Sequence, residues 1–310
     1  MDPAPRHNLL LWLHLALPLA ATDADTLRTA VDCTTEELTV FIALKDTIAS
    51  EEESSSDGWS HMQRRIAELY AVAASHSPEH VSVDIVPLNF CAYSADDMLP
   101  YKHSATLVQS ADAMLPEWWP SEMRTNVKSF CCCCYQREYP SVAQSTRTPT
   151  PWRSFAHVAV GGTFDHLHVG HKILLTATAL AATKRIVCGI SADALLENKQ
   201  YKEHLESYRT RELNVLLFLR KIRKNIIVEL VPIVDRYGPT ITDSTIGALV
   251  VSQETLPGSD ALNVRREELG MPPMHLLPID LVAASGQTTE NALKISSTAI
   301  RAALAERSRQ

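Results

Sequence analysis

The sequence predicts an α/β protein, with a doubly wound parallel sheet over residues 151–310 and a smaller α/β domain before it. Three observations carry this. Short β-branched runs alternate with helical stretches along the second half, at the spacing of repeated βαβ units. The first of these runs, Ala156 to Val160, passes into two glycines and then an apolar helical stretch. The first half has its own alternation of apolar runs and helical spacing, and a stretch rich in Ser, Thr and Pro separates the halves. The boundaries read as 1–143 for an N-terminal accessory domain, 144–150 for a linker and 151–310 for the second domain.

In chain order, Leu9 to Leu19 is a leucine-rich run. It is too short to span a bilayer, Asp2 acidifies the segment a secretory leader needs basic, and His14 and Pro18 interrupt it, so it reads as a buried strand and turn. A cytoplasmic protein without a membrane partner is the resulting expectation. Glu37 to Leu44 fits a strand or a helix, Met62 to Ala74 has helical spacing, and Val81 to Val86 alternates as a strand does. The domain is expected to end near Arg124. Glu51 to Asp57 reads as an acidic loop. Four of the seven cysteines are consecutive at Cys131 to Cys134. Neighbouring thiols in extended chain point apart, so the run is assigned no site.

In the second half, strands are expected near Ala156 to Val160, Arg185 to Ile190, Ile226 to Pro232, Ala248 to Ser252 and Met274 to Leu281. Helices are expected near His171 to Thr183, Thr210 to Arg223, Asn263 to Leu269 and Ser297 to Glu306. The first turn lacks GxGxxG followed by an acidic ribose ligand, which excludes a nicotinamide-dependent dehydrogenase.

The net charge of −7 is unevenly spread. Residues 151–310 carry 19 basic against 16 acidic side chains, and residues 1–150 carry 10 against 20. An acidic half is a poor nucleic-acid surface, since such binding rests on neutralising phosphates.

The most specific segment is GGTFDHLHVGH, Gly161 to His171. A strand, a glycine turn and a helix start make an anion site, because unpaired backbone N–H groups and the helix dipole converge there. His168 and His171 are spaced to face a bound phosphate together, with Gly170 between them.

GGTFDHLHVGH resembles the GTFD…HxGH signature of the nucleotidylyltransferase superfamily, and ISSTAIR at 295–301 is similar to its ISSTxIR signature. Between them ENKQY (197–201), LESYRTR (205–211), VPIVDRYGPT (231–240) and VVSQET (250–255), with Asn263 and Arg266, look like phosphopantetheine adenylyltransferases of the eukaryotic and archaeal type, nearest to the fungal enzymes. The resemblance implies transfer of AMP from ATP to 4′-phosphopantetheine, giving dephospho-coenzyme A and pyrophosphate, the penultimate step of coenzyme A synthesis. It implies His171 as transition-state stabiliser and His168 as phosphate ligand, with Gly161 and Gly162 at the nucleotide. It also implies Thr163 at the acceptor phosphate, Lys199 at the acceptor and reaction centre, and Ser297, Thr298 and Arg301 at the triphosphate. Ser252, Glu254, Asn263 and Arg266 are expected to line the nucleotide or pantetheine pocket. Phe164 and Asp165 are expected to stabilise the loop.

Mg²⁺ is expected to arrive on ATP with few protein ligands, since it keeps its waters and takes phosphate oxygens. The expected partners are ATP, 4′-phosphopantetheine and other enzymes of the coenzyme A pathway. No GxxxxGK[ST] loop occurs, so the next step of that pathway is expected from another polypeptide. Two alternatives stay open. One is a different acceptor, such as nicotinamide mononucleotide, phosphocholine or flavin mononucleotide. The other is a scaffold that assembles pathway enzymes through residues 1–150.

Overall fold

The computed structural model describes residues 6–15, 21–44, 66–74, 76, 81–87, 91–101, 104–108, 115, 117–124, 127–129, 154–252, 255–279 and 296–309. The expected acidic loop, the cysteine run, the linker, Glu254 and Ile295 lie outside them. The chain divides into two compact units, Met1–Pro151 and Trp152–Gln310. Among the described residues no helix is long and apolar enough to cross a membrane.

The first unit contains β1 (Arg6–Leu15), α1 (Ala21–Asp32), β2 (Thr34–Leu44), a helical segment at 66–74, β3 (Ser82–Pro87), β4 (Ala105–Val108) and β5 (Val127–Ser129). The strands pair in parallel in the order β3-β2-β1-β4-β5. Residues 9–15 of the leucine-rich run thus belong to the central strand, and Leu9, Leu10, Leu11 and Leu13 are all buried. A strand covered on both faces needs apolar residues at every position, which is why the run does not alternate. Glu37 to Leu44 is strand. Phe41 packs edge-on against the rings of Tyr93 and Trp119 at 5.4 and 5.9 Å. The α/β pattern runs past Arg124 into β5, whose three residues are too few to signal a strand in sequence.

The second unit repeats that order. It contains β6 (Phe155–Gly162), α2 (Val169–Ala181), β7 (Ala182–Ser191), α3 (Tyr208–Ile222), β8 (Ile227–Ile233), β9 (Ala248–Ser252), α4 (Leu256–Glu268), β10 (His275–Ile279) and α5 (Ser297–Arg307). The sheet is parallel, in the order β10-β9-β6-β7-β8. Val158, Ala159 and Val160 of β6 and Ile186, Val187 and Cys188 of β7 are buried at its centre. The order reverses between β6 and β9, which opens a crevice beyond their C-terminal ends.

The exit from β6 differs from the sequence expectation. Gly161 and Gly162 are the last residues of the strand, paired with Gly189 and Ile190. The left-handed backbone falls instead on Phe164 (φ 52°) and His166 (φ 46°), two non-glycine residues. Gly162 serves the turn by making room: a Cβ there would stand 3.1 Å from the Phe164 ring.

Candidate active site

The two histidines meet at the start of α2. His168 is the N-cap, and its Nδ1 accepts the Gly170 backbone N–H at 3.2 Å. Its ring stacks on that of His171 at 3.9 Å with 26° between planes, and Phe164 packs on the other histidine at 5.3 Å. Burial pushes His168 down to about 4, against the opposing pull of the Asp165 carboxylate. Burial, and then the neighbouring His168, push His171 down to about 2. Both rings are therefore neutral near pH 7. Because His168 Nδ1 accepts a bond, its proton belongs on Nε2, leaving a donor for an anion. The Nδ1 of His171 is buried without a hydrogen-bond partner among the described residues.

The second signature is tied to the first by a buried ion pair. Arg301 Nη1 donates to Asp165 Oδ2 at 2.5 Å, and their side chains are 2% and 0% exposed. Arg301 Nε donates to the Gln200 carbonyl at 3.0 Å, and Nη2 to Thr298 Oγ1 at 3.1 Å. Arg301, expected at the outer phosphates, is thus drawn inward, because the carboxylate at the turn needs a cation once both are dry. Ser297 Oγ donates to the Asp165 carbonyl at 2.9 Å, while Ser296 caps α5 by accepting from Ala299 N. The starts of α2 and α5 therefore converge on one loop. Phe164 and Asp165 are fully buried.

Lys199 is exposed, and its side chain makes no hydrogen bond or ion pair among the described residues. Its loop is anchored on either side, by Lys199 N to the Leu196 carbonyl and by Arg301 to Gln200. Thr163 gives its carbonyl to Arg211 Nη1 at 2.8 Å. Arg211 also bonds the carbonyls of Ser191 and Glu206 and the Asp193 carboxylate, all from a fully buried position. Sequence reasoning missed this role. The signal was present, since Arg211, Val215, Phe218, Leu219 and Ile222 share the buried face of α3.

A cavity of about 360 Å³ opens at the C-terminal strand ends, against Gly161, Gly162, Gly189, Ile233, Tyr237 and Ser252. Glycines on and beside its lining make room for Ile233. A Cβ on Gly189 would stand 2.7 Å, and one on Gly238 2.4 Å, from Ile233 Cγ2. Asp235 Oδ1 holds the adjoining turn by accepting from Tyr237 N and Gly238 N, both at 2.7 Å. Those two bonds keep its carboxyl below the usual carboxylate range. Arg236, on the cavity wall, lies over the Tyr237 ring.

Ser252 lines the cavity, but the polar groups of Asn263 and Arg266 are committed to the backbone. Asn263 brackets Met274 by two bonds at 2.9 and 3.0 Å. Arg266 is buried and donates to the carbonyls of Pro272, Thr240, Asp243 and Ile246. A guanidinium whose fork is filled by carbonyls braces a chain reversal and has little left for a ligand.

The chain is similar to cytidylyltransferase-like proteins over residues 159–303. It is 46% identical over 151 residues to an uncharacterized protein of Schizosaccharomyces pombe, covering 48% of each chain. It is 41% identical over 165 residues to the phosphopantetheine adenylyltransferase of Saccharomyces cerevisiae, covering 53% of each. The chain thus spans about half the length of these two relatives. It is 37% identical over 152 residues to the phosphopantetheine adenylyltransferase of Methanopyrus kandleri, 49% of this chain and 92% of the archaeal protein. With nearly the whole of an archaeal relative matched by the half that bears both signatures, the chain belongs to the phosphopantetheine adenylyltransferase family.

Proposed function

We propose that this protein transfers AMP from MgATP to 4′-phosphopantetheine in the cytoplasm, releasing pyrophosphate and dephospho-coenzyme A. The observation that carries the reading is the stacked, neutral pair His168 and His171 at the start of α2, beside a crevice at the strand ends. The similarity to named adenylyltransferases supports this choice of substrates.

A phosphate monoester is largely a dianion near neutral pH, its second pKa being about 6, so the acceptor needs no general base. One acceptor oxygen attacks the α-phosphorus in line, and the bond from that phosphorus to the oxygen bridging to the β-phosphate breaks. The protein's task is to align two anions and to meet the charge that gathers on the α-phosphate and the departing pyrophosphate. In this reading His171 donates an N–H to a non-bridging α-phosphate oxygen, and His168 Nε2–H binds phosphate beside it. Neutral rings do this without being discharged by the substrate. Backbone N–H groups at the starts of α2 and α5 add positive potential. Gly161 and Gly162 let the nucleotide approach the strand end.

Thr163 holds the acceptor phosphate, and Lys199, exposed on an anchored loop, brings the mobile cation. Ser297 spends its hydroxyl proton on Asp165, leaving the helix start for the phosphates, and Thr298 keeps its own proton to donate. We assign Arg301 a positioning role in place of direct contact with the outer phosphates. Among the described residues no three His, Cys, Asp or Glu side chains converge on a metal position, and Mg²⁺ is taken here as part of the MgATP substrate. The first unit is proposed as an accessory domain that associates with other enzymes of the pathway.

The test is pyrophosphate release from MgATP with 4′-phosphopantetheine, nicotinamide mononucleotide or phosphocholine as acceptor. Turnover confined to phosphopantetheine is expected. Turnover with another acceptor, or with none, would overturn the assignment.

A further inference from the structure

We infer that Glu206, which lies in neither signature, is a positioning residue that holds the histidine turn in its left-handed form and fixes it to the Lys199 loop. The inference rests on the proposed reaction for its kinetic readout, and on geometry for the rest.

Phe164 and His166 both hold left-handed backbone. Left-handed backbone is costly for residues with a Cβ, and such residues persist only where surrounding bonds over-determine them. At His166 two bonds do this. Its backbone N–H donates to Glu206 Oε2 at 2.7 Å, and its Nε2 lies 2.8 Å from the His204 carbonyl. Glu206 returns the bond through its own N–H, which donates to Asp165 Oδ1 at 2.8 Å. The two loops are thus joined reciprocally, carboxylate to amide in both directions. Charged acceptors make such bonds shorter and stronger than neutral ones.

The junction sits between the reacting groups. Two residues after His166, His168 caps α2 and stacks on His171. On the other loop, Gln200 beside Lys199 is held by Arg301, which also binds the remaining oxygen of Asp165. Removing the Glu206 carboxylate releases His166 N, so its backbone relaxes toward negative φ. The cap then turns, and the stack opens. Glu206 touches no reacting atom in this scheme.

The experiment uses the full chain in four forms: wild type, Glu206→Ala, His166→Gly and the double variant. Glycine occupies the left-handed region freely, so it removes the need for the carboxylate. Glu206→Ala is expected to lower kcat on the order of 10- to 100-fold, with KM for ATP within about threefold, as misplacement near 1 Å does. His166→Gly alone is expected to stay within about threefold, and the double variant to regain most of the lost kcat. A purely structural role would lower stability without rescue by glycine.

A second readout needs no turnover. The stacked rings shift one another's Cε1–H resonances in the ¹³C-edited spectrum. That shift is expected to vanish in Glu206→Ala and return in the double variant. If wild type makes no pyrophosphate, the proposed reaction fails while this readout still decides the inference. If Glu206→Ala alone does not fold, recovery of a stacked fold in the double variant supports the inference. An unchanged stack and kcat in Glu206→Ala, or no recovery in the double variant, would overturn it.

Discussion

Replacing Arg301 by Met tests the buried pair that joins the two signatures. The substitution keeps most of the side-chain length and removes the guanidinium, leaving Asp165 fully buried with one oxygen unpaired. Breaking a buried pair from one side costs about 3–5 kcal/mol, because the surviving charge has no solvent to return to. Losing the bond from Arg301 Nε to the Gln200 carbonyl adds about 1 kcal/mol. The second unit is therefore expected to lose about 4–6 kcal/mol. The chain's two compact units need not unfold together, so the assay is hydrogen exchange under increasing urea, read on peptides from β6 and α5. In an Asp165→Asn/Arg301→Met protein the unpaired charge is gone, and the combined cost is expected to fall short of the summed single costs by at least about 2 kcal/mol. A loss below about 1 kcal/mol in Arg301→Met, or strictly additive costs, would refute the assignment of Arg301 to structure.

Three further outcomes follow from the same geometry. Burial lowers both histidines below their unfolded value, so the unfolded chain takes up protons that the folded one refuses. Their contribution is complete above about pH 6.5 and shrinks on acidification, until about 4 for His168 and about 2 for His171. Between pH 7.5 and 5.0, wild type should lose about 2 kcal/mol more than His171→Gln in urea unfolding, and equal losses would count against buried neutral rings. Gly162→Ala sets a methyl 3.1 Å from the Phe164 ring, and about 1–3 kcal/mol of destabilisation with loss of turnover is expected by hydrogen exchange and assay. Lys199→Ala, at an exposed position, should leave stability within about 0.5 kcal/mol while lowering turnover, and a fall in both would mean the lysine is structural.

The second unit's strands were legible because β6, β7 and β9 carry apolar, largely buried stretches, whereas α4 begins at Leu256, ahead of the expected Asn263. The leucine-rich run was legible for the same reason, once its length excluded a membrane span. The turn after β6 was only half legible. Two glycines suggest where the chain bends, yet the bend falls at Phe164 and His166, and Gly162 is there for the Phe164 ring. Arginines were the least legible residues. In sequence a cation beside a phosphate motif reads as a ligand, but Arg211, Arg266 and Arg301 are buried against carbonyls and carboxylates. The Asp165 partner of Arg301 lies 136 positions away. No local spacing announces such a pair, and Glu206 stayed hidden because its value lies in a fold contact with His166.

The role of His171 is tested by a single-turnover measurement with MgATP and 4′-phosphopantetheine, in wild type and His171→Ala, beside the affinity of each for ATP. The adenylyl-transfer step is expected to slow on the order of 10²-fold or more while ATP affinity changes by only a few-fold, since the histidine's donor acts where charge develops. An unchanged chemical step, or a loss confined to ATP affinity, would contradict it.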